Sequence, residues 1–423
     1  MNNSHIRITH LRPHRVNSLK WDQAIAKKML FKLFAQLDAG CLRIHEGEEC
    51  HEFGQAADQA EIVADLHVHN PQLYADVVFG GSIGAGEAYM SGYWSSPNLT
   101  SITRLFVRNM AALDAVDSRQ SRIGRALLKI FHWFNRNTRE GSRKNISAHY
   151  DLGNAFFRLF LDPTMMYSSA IYPTAASTLE EASVHKLAVV CEKLRLTADD
   201  HLLEIGTGWG GMAIYAARHY GCRVTTTTIS KEQYDHAVLQ VKAAGLEDRI
   251  DVLFDDYRDL RGQYTKLVSI EMIEAVGHEH YAEYFAMCSR LLKDGGLMLL
   301  QAITIADQRY AQARRSVDFI QRYIFPGGSL PSITVISDLV TRMTDMNILH
   351  MEDIGEHYTR TLRDWRKAFL AQLEQVRQQG FDERFIRMWE FYLCYCEGGF
   401  MERSIGTAQI LLAKPQFRQN FFA

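Results

Sequence analysis

The sequence has no excess charge, no cysteine framework and no long apolar run, and each absence removes a class of function. Lys and Arg number 47 against 49 Asp and Glu, a formal net charge of -2. Without a global basic field, non-specific nucleic-acid binding has no compositional support. The cysteines Cys41, Cys50, Cys191, Cys222, Cys288, Cys394 and Cys396 are odd in number and irregularly spaced, which fits reduced thiols in a cytoplasmic protein better than a disulfide scaffold. Cys394 and Cys396 look like a metal pair only superficially, since no second pair or suitable histidine spacing completes a site, and no metal is expected. No uninterrupted apolar segment approaches the roughly 20 residues of a membrane-spanning helix. The opening MNNSHIRITHLRPHRVNSLKW has charges and histidines where a signal peptide needs an apolar core. Any work on a membrane is therefore expected from its surface.

A chain of 423 residues exceeds what one core usually serves, so a principal domain and a smaller one are expected. Residues 1–117 read as a small mixed α+β domain: a helical pattern in AIAKKMLFKLFAQL, a strand-like ADLHVHN and a glycine-rich turn in FGGSIGAGEAYMSGYW. Residues 118–144 read as a basic amphipathic helix, with Ile123, Leu127, Ile130, Phe131 and Phe134 at helical spacing beside Arg122, Arg125, Lys129 and Arg136. Such a helix either connects two domains or lies in a membrane interface with its cations on anionic headgroups. Residues 145–423 form the third segment. Within it, HLLEIG, CRVTTTTI, IDVLF, KLVSIEM and GLMLLQAI alternate with helical stretches over 210–220 and 231–245. Short apolar strands with intervening helices predict an α/β domain with a doubly wound, Rossmann-like sheet, whose ligands bind beyond the carboxyl ends of the strands.

LLEIGTGWGGMAIYAA sets Gly206, Gly208, Gly210 and Gly211 between a strand and an amphipathic helix, where glycine lets the backbone turn sharply and approach a ligand. The spacing GxGxxG alone is a weak sign of dinucleotide binding. A nicotinamide enzyme would carry an acidic residue about 20 positions on, at the end of the next strand. That strand here reads VTTTTIS. Glu204, just before the glycines, stands where methyltransferases place an acidic residue near the cofactor. S-adenosylmethionine is therefore favoured over NAD.

The runs HYDLGNAFFRLFLDPTMMYSSAIY, EIGTGWGGMAIYAA, TTISKEQ, DDYRDL, VSIEMIEAVG, RYIFPGGSLPS and FYLCYCEGGF resemble, in order, the bacterial cyclopropane-fatty-acyl-phospholipid synthases and their mycolic-acid relatives. GSIGAGEAYMSGYW is similar to the amino-terminal domain of the phospholipid-acting members. The resemblance implies transfer of a sulfonium methyl to a cis double bond, followed by proton loss that closes a cyclopropane ring, on unsaturated acyl chains at a phospholipid bilayer surface. It implies cofactor contacts from Tyr167, Ser168, Gly206, Gly208, Gly210, Thr228, Gln233, Asp256, Tyr257 and Arg258, with Thr228 and Gln233 in place of a ribose carboxylate. A homodimer is compatible with it.

In that family the base is a bound bicarbonate held by a Cys, a Glu, a His, a Tyr and a backbone amide. The pattern maps onto Ser169, Glu274, Gln301, Tyr358 and the backbone of Ile303, and Cys396 joins the candidate catalytic residues. Ser169 stands for Cys and Gln301 for His; both still donate hydrogen bonds to an anion, but neither supplies a titratable imidazole proton. Glu271 is read as structural. Because of Ser169 and Gln301, a rival outcome is a methyl-branched, methylene or furan-precursor acyl chain. A lipid-binding protein without catalysis is the rival from another class, and methylation of a soluble small molecule is a third reading.

Overall fold

The structure, a computed structural model, describes residues 20–110 and 152–418; the expected basic helix over 118–144 lies outside the described residues. The chain divides into two compact units, Met1–Gly124 with Glu383–Phe391, and Arg125–Asp382 with Tyr392–Ala423. That Glu383–Phe391 belongs with the first unit was not visible in the sequence pattern. Among the described residues, no helix is long and apolar enough to cross a membrane.

In the first unit, helix Trp21–Phe34 buries Ala26, Leu30 and Phe34, an i, i+4, i+8 stripe on one helix face. A four-stranded sheet runs β2-β1-β3-β4, from β1 (Cys41–Glu46), β2 (Glu49–Gly54), β3 (Val63–Val68) and β4 (Trp94–Ser95). One expectation fails here. FGGSIGAGEAYM is not a turn but the greater part of helix Gln72–Met90, which bends at Gly81 (φ 56, ψ -135). Apolar residues between the glycines carry the helix through, and the glycines serve its bend: a Cβ on Gly84 would lie 1.9 Å from the carbonyl oxygen of Asp76.

The second unit meets the α/β expectation. Its seven strands are β5 (His201–Ile205), β6 (Arg223–Thr227), β7 (Ile250–Leu253), β8 (Tyr264–Ile270), β9 (Leu292–Ile305), β10 (Asn347–Asp353) and β11 (Ile405–Ala413), in the order β10-β11-β9-β8-β5-β6-β7. β9, β8, β5, β6 and β7 pair in parallel, and β11 runs antiparallel between β9 and β10. Period-2 alternation feeds a core on each face. Leu202, Val224, Leu297, Leu299 and Leu411 face helices Leu179–Leu194 and Gly211–Tyr220. Leu203, Met298, Leu300, Ile410 and Leu412 face helices Tyr281–Leu291 and Ile333–Met343.

This arrangement brings the carboxyl ends of β5, β6 and β8 to one edge. Register does the rest: Gln301 of β9 stands opposite Ile270 at the end of β8, and Gln409 of β11 stands opposite Gln301.

Candidate active site

At the end of β5 the chain turns through Gly206 (φ 105), Gly208 (φ 52) and Gly210 (φ 93), left-handed conformations that cost an L side chain strain. The Gly206 and Thr207 N–H groups both donate to the Thr227 carbonyl, at 3.1 and 3.0 Å, so β6 holds the turn. A Cβ on Gly208 would meet nothing within 4 Å, whereas one on Gly206 would press on Met272 at 3.2 Å and one on Gly211 would meet the Thr164 carbonyl oxygen at 2.6 Å. The glycine turn thus abuts the segment after β8 and leaves open backbone at Gly208, a cradle that fits a cofactor.

Glu204 lies beneath the turn, 3 % exposed. It accepts a 2.6 Å bond from Thr226 Oγ1, and Thr226 is 2.7 Å from Thr207 Oγ1. Burial pushes its carboxyl up to about 8, opposed by the Thr226 bond and by Lys186. At the neighbouring strand ends, the Thr228 hydroxyl donates to Gln233 Oε1 at 2.9 Å, and Ser230 Oγ accepts from the Gln233 N–H, capping helix Lys231–Ala243. Arg258 grips Asp256 through two bonds, Nε to Oδ1 at 2.8 Å and Nη2 to Oδ2 at 2.6 Å. The Tyr257 hydroxyl is buried without a hydrogen-bond partner, and its ring meets Tyr284 edge-on at 5.6 Å. Ser168 accepts 2.9 Å from the buried Lys186 Nζ, and the Tyr167 and Tyr392 hydroxyls pair at 2.9 Å.

The second cluster is centred on Glu271, which the sequence read as structural. Its Oε1 accepts from the Ser169 backbone N–H at 2.9 Å and from Gln301 Nε2 at 2.8 Å, and its Oε2 accepts from the Tyr358 hydroxyl at 2.7 Å. The Ile303 N–H donates to Glu274 Oε1, and Ser169 Oγ donates to the Ala170 carbonyl at 3.0 Å. Three of the groups mapped as bicarbonate ligands, Gln301, Tyr358 and the Ile303 N–H, therefore give their hydrogen bonds to protein carboxylates, and the Ser169 hydroxyl gives its own to a backbone carbonyl. Bicarbonate does not fit this set.

The orientation of Gln301 is fixed by what its neighbours can do. Lys193 has only donors, so Gln409 turns its Oε1 to it at 2.6 Å; Gln409 Nε2 then donates to Gln301 Oε1 at 2.9 Å. That leaves Gln301 Nε2 for Glu271, which as a carboxylate can only accept.

The two carboxylates differ in environment. Glu274 is pushed up to about 8, by burial first and then by the charge of Glu271, and its Oε2 is buried without a partner. Burial also raises Glu271, but Tyr358, the Ser169 N–H, Gln301 and the Lys186 cation all act the other way. Burial leaves Glu271 raised overall, but donors and cations favour the charged form, so of the two carboxylates Glu271 is the better placed to hold negative charge. Lys186, fully buried, is itself lowered to about 8 by desolvation, against the pull of Glu271, Asp162 and Glu204.

Aromatic rings surround this cluster. Tyr358 stacks on Phe400 at 4.5 Å and meets Trp365 at 6.0 Å, and Tyr167 lies 5.2 Å from Trp365 and 6.2 Å from Phe325. Aromatic faces attract cations. Cys396 has its thiol held far above the usual range by burial, so it is no thiolate. Cys394 and Cys396 stand two apart on helix Glu383–Met401, where such residues do not face each other.

Lys186 and Gln409 escaped the sequence reading, which named Glu271 only as structural. A signal for Lys186 existed: it sits on the buried stripe Ala182, Ser183, Leu187, Val190, Cys191, Leu194 of helix Leu179–Leu194, a place for an apolar residue. Glu271 is a non-glycine residue at φ 49, which no local pattern announces.

The chain is 39 % identical over 359 residues to a tuberculostearic acid methyltransferase of Mycobacterium tuberculosis, covering 82 % of this chain and 83 % of that protein. It is 37 % identical over 356 residues to the cyclopropane-fatty-acyl-phospholipid synthase of Escherichia coli, covering 83 % and 88 %. Among solved structures, mycolic acid cyclopropane synthase CmaA1 complexed with SAH and CTAB matches 64 % of this chain and 98 % of its own, at 32 % identity and a TM-score of 0.60. The family model described as mycolic acid cyclopropane synthetase matches residues 137–410. The chain therefore belongs to the mycolic acid cyclopropane synthetase family and is an S-adenosylmethionine-dependent methyltransferase that acts on lipids.

Proposed function

We propose that the enzyme methylates the double bond of unsaturated acyl chains in membrane phospholipids, working from the bilayer surface, and releases a product one CH2 unit heavier. The observation that carries this reading is the contact between the glycine turn and the carboxylate segment, with Gly206 against Met272 between Glu271 and Glu274. A methyl donor on the turn would then face a site able to manage a cation. S-adenosylmethionine supplies the sulfonium methyl when bound. The open backbone at Gly208, the Thr228–Gln233 pair and the Asp256–Arg258 pair would hold it, with Tyr257 beside its ring.

An alkene is a weak nucleophile, so the reactants must be aligned closely and water kept from the cation that follows. Tyr358, Trp365 and Phe400 supply the apolar, π-rich surface. Loss of a proton from the transferred methyl closes a cyclopropane ring, the shortest route to a neutral product. A second reading, in which the cation rearranges first and leaves a methylene branch, is favoured by Ser169, Gln301 and Glu271, and by relatives whose names read both methyltransferase and cyclopropane synthase.

Incubating the protein with S-adenosylmethionine and vesicles of unsaturated phospholipid tests this. Acyl chains heavier by one CH2 are expected by mass spectrometry, and NMR separates ring from branch. Methyl transfer to soluble acceptors alone, with the vesicle lipids unchanged, would refute the substrate assignment.

A further inference from the structure

We infer that Glu271 is the enzyme's own base: its carboxylate stands where the resemblance called for a bound bicarbonate, and it takes the proton from the methylated acyl chain without any added anion. The inference rests on the proposed alkene methylation, because every outcome of that reaction must shed one proton. The alkene π pair forms the new C–C bond as the C–S bond breaks and its pair stays on sulfur. The resulting cation then gives a proton to the carboxylate, and the freed C–H pair becomes either the third ring bond or a C=C bond. No oxidant or reductant enters.

Three features qualify Glu271 as the base. First, two side-chain donors mapped for the anion converge on it, Gln301 Nε2 at 2.8 Å and the Tyr358 hydroxyl at 2.7 Å, and the Ser169 backbone N–H joins them at 2.9 Å. Second, a carboxylate offers about four acceptor sites; with two bonds on Oε1 and one on Oε2, a position on Oε2 remains for the incoming proton. Third, the Lys186 cation and Gln301 Nε2, oriented by Lys193 through Gln409, favour the charged form of Glu271, whereas Glu274 has a carboxylate neighbour that disfavours its charge and an unpartnered Oε2. A protein carboxylate fixed on three donors costs no binding step and positions the base before the cation forms.

The backbone suggests an unusual test. Glu271 sits at φ 49, a conformation glycine adopts freely, so Glu271→Gly relieves strain and vacates an anion-sized site among intact donors. In CO2-free buffer the wild-type enzyme should methylate phospholipid at full rate, and added bicarbonate should leave it unchanged. Glu271→Gln should lose about 10²- to 10⁴-fold, the worth of a positioned base, with S-adenosylmethionine binding by calorimetry retained. Glu271→Gly should be equally slow without bicarbonate and recover saturably with it.

A wild-type rate that collapses on removing bicarbonate, or a Glu271→Gln variant as fast as wild type, would overturn the assignment. Direct titration keeps it testable if the lipid proves to be the wrong substrate. Carbon-13 bicarbonate should show no line broadening with wild type and clear broadening with Glu271→Gly; broadening with wild type would overturn the assignment by itself.

Discussion

The turn after β5 and the cluster after β8 face each other at one edge of the sheet and work by opposite means. The turn functions by lacking side chains: three glycines at positive φ leave backbone open at Gly208 and let Gly206 and Gly211 lie against Met272 and Thr164. The cluster functions by saturation, with Glu271 bonded to three donors and stabilised by the buried Lys186. Added atoms should therefore damage the first region, and removed atoms the second.

The largest effect is expected at Lys186. Lys186→Met removes the buried cation that acts on Glu271 and Asp162, and stranding buried charge costs about 3–5 kcal/mol; urea unfolding should show it, and a loss below about 1 kcal/mol would mean these two carboxylates are neutral. Next is Gly206→Ala, at φ 105 and against Met272. It should cost about 1–3 kcal/mol of backbone strain and weaken S-adenosylmethionine binding on the order of tenfold or more, equivalent to at least about 1.4 kcal/mol. Unchanged calorimetry would break the contrast between the regions.

The pH dependence of stability sharpens it. The Glu274 carboxyl stands at about 8 in the folded protein against an ordinary 4.5, so between those values the folded state holds more protons than the unfolded chain. The contribution of Glu274 to stability is thus full below pH 4.5 and is lost as pH rises to 8, with a slope up to about 1.4 kcal/mol per pH unit. Glu204 behaves in the same sense. Glu274→Gln should flatten the decline without abolishing it; an unaltered slope in urea unfolding at pH 5, 6.5 and 8 would show that Glu274 does not carry this proton. The smallest effect belongs to Thr228→Val, which breaks one 2.9 Å bond to Gln233 and should cost about 1 kcal/mol, with a modest fall in cofactor affinity and no change in the ratio of ring to branch in the product.

Local sequence was enough wherever a function is built from consecutive residues. The strand His201–Ile205, its four following glycines and helix Gly211–Tyr220 could be read directly, because period-2 burial, positive φ and helical spacing are properties of neighbours. The same reading misjudged FGGSIGAGEAYM, since glycine marks a permissive backbone and cannot say whether the chain turns or merely bends a helix. Nor could it show that Gln301, Tyr358 and the Ser169 N–H all turn to Glu271.

By itself the sequence determined the doubly wound sheet, the cofactor turn and the family, each written in short-range pattern. Only the tertiary structure decided which donors and cations each carboxylate meets. Ser169, Lys186, Glu271, Gln301, Tyr358 and Gln409 come from separate segments, and they meet because strand register and helix packing bring them together. The charge on a buried carboxylate depends on the donors and cations it meets there, which no stretch of chain contains.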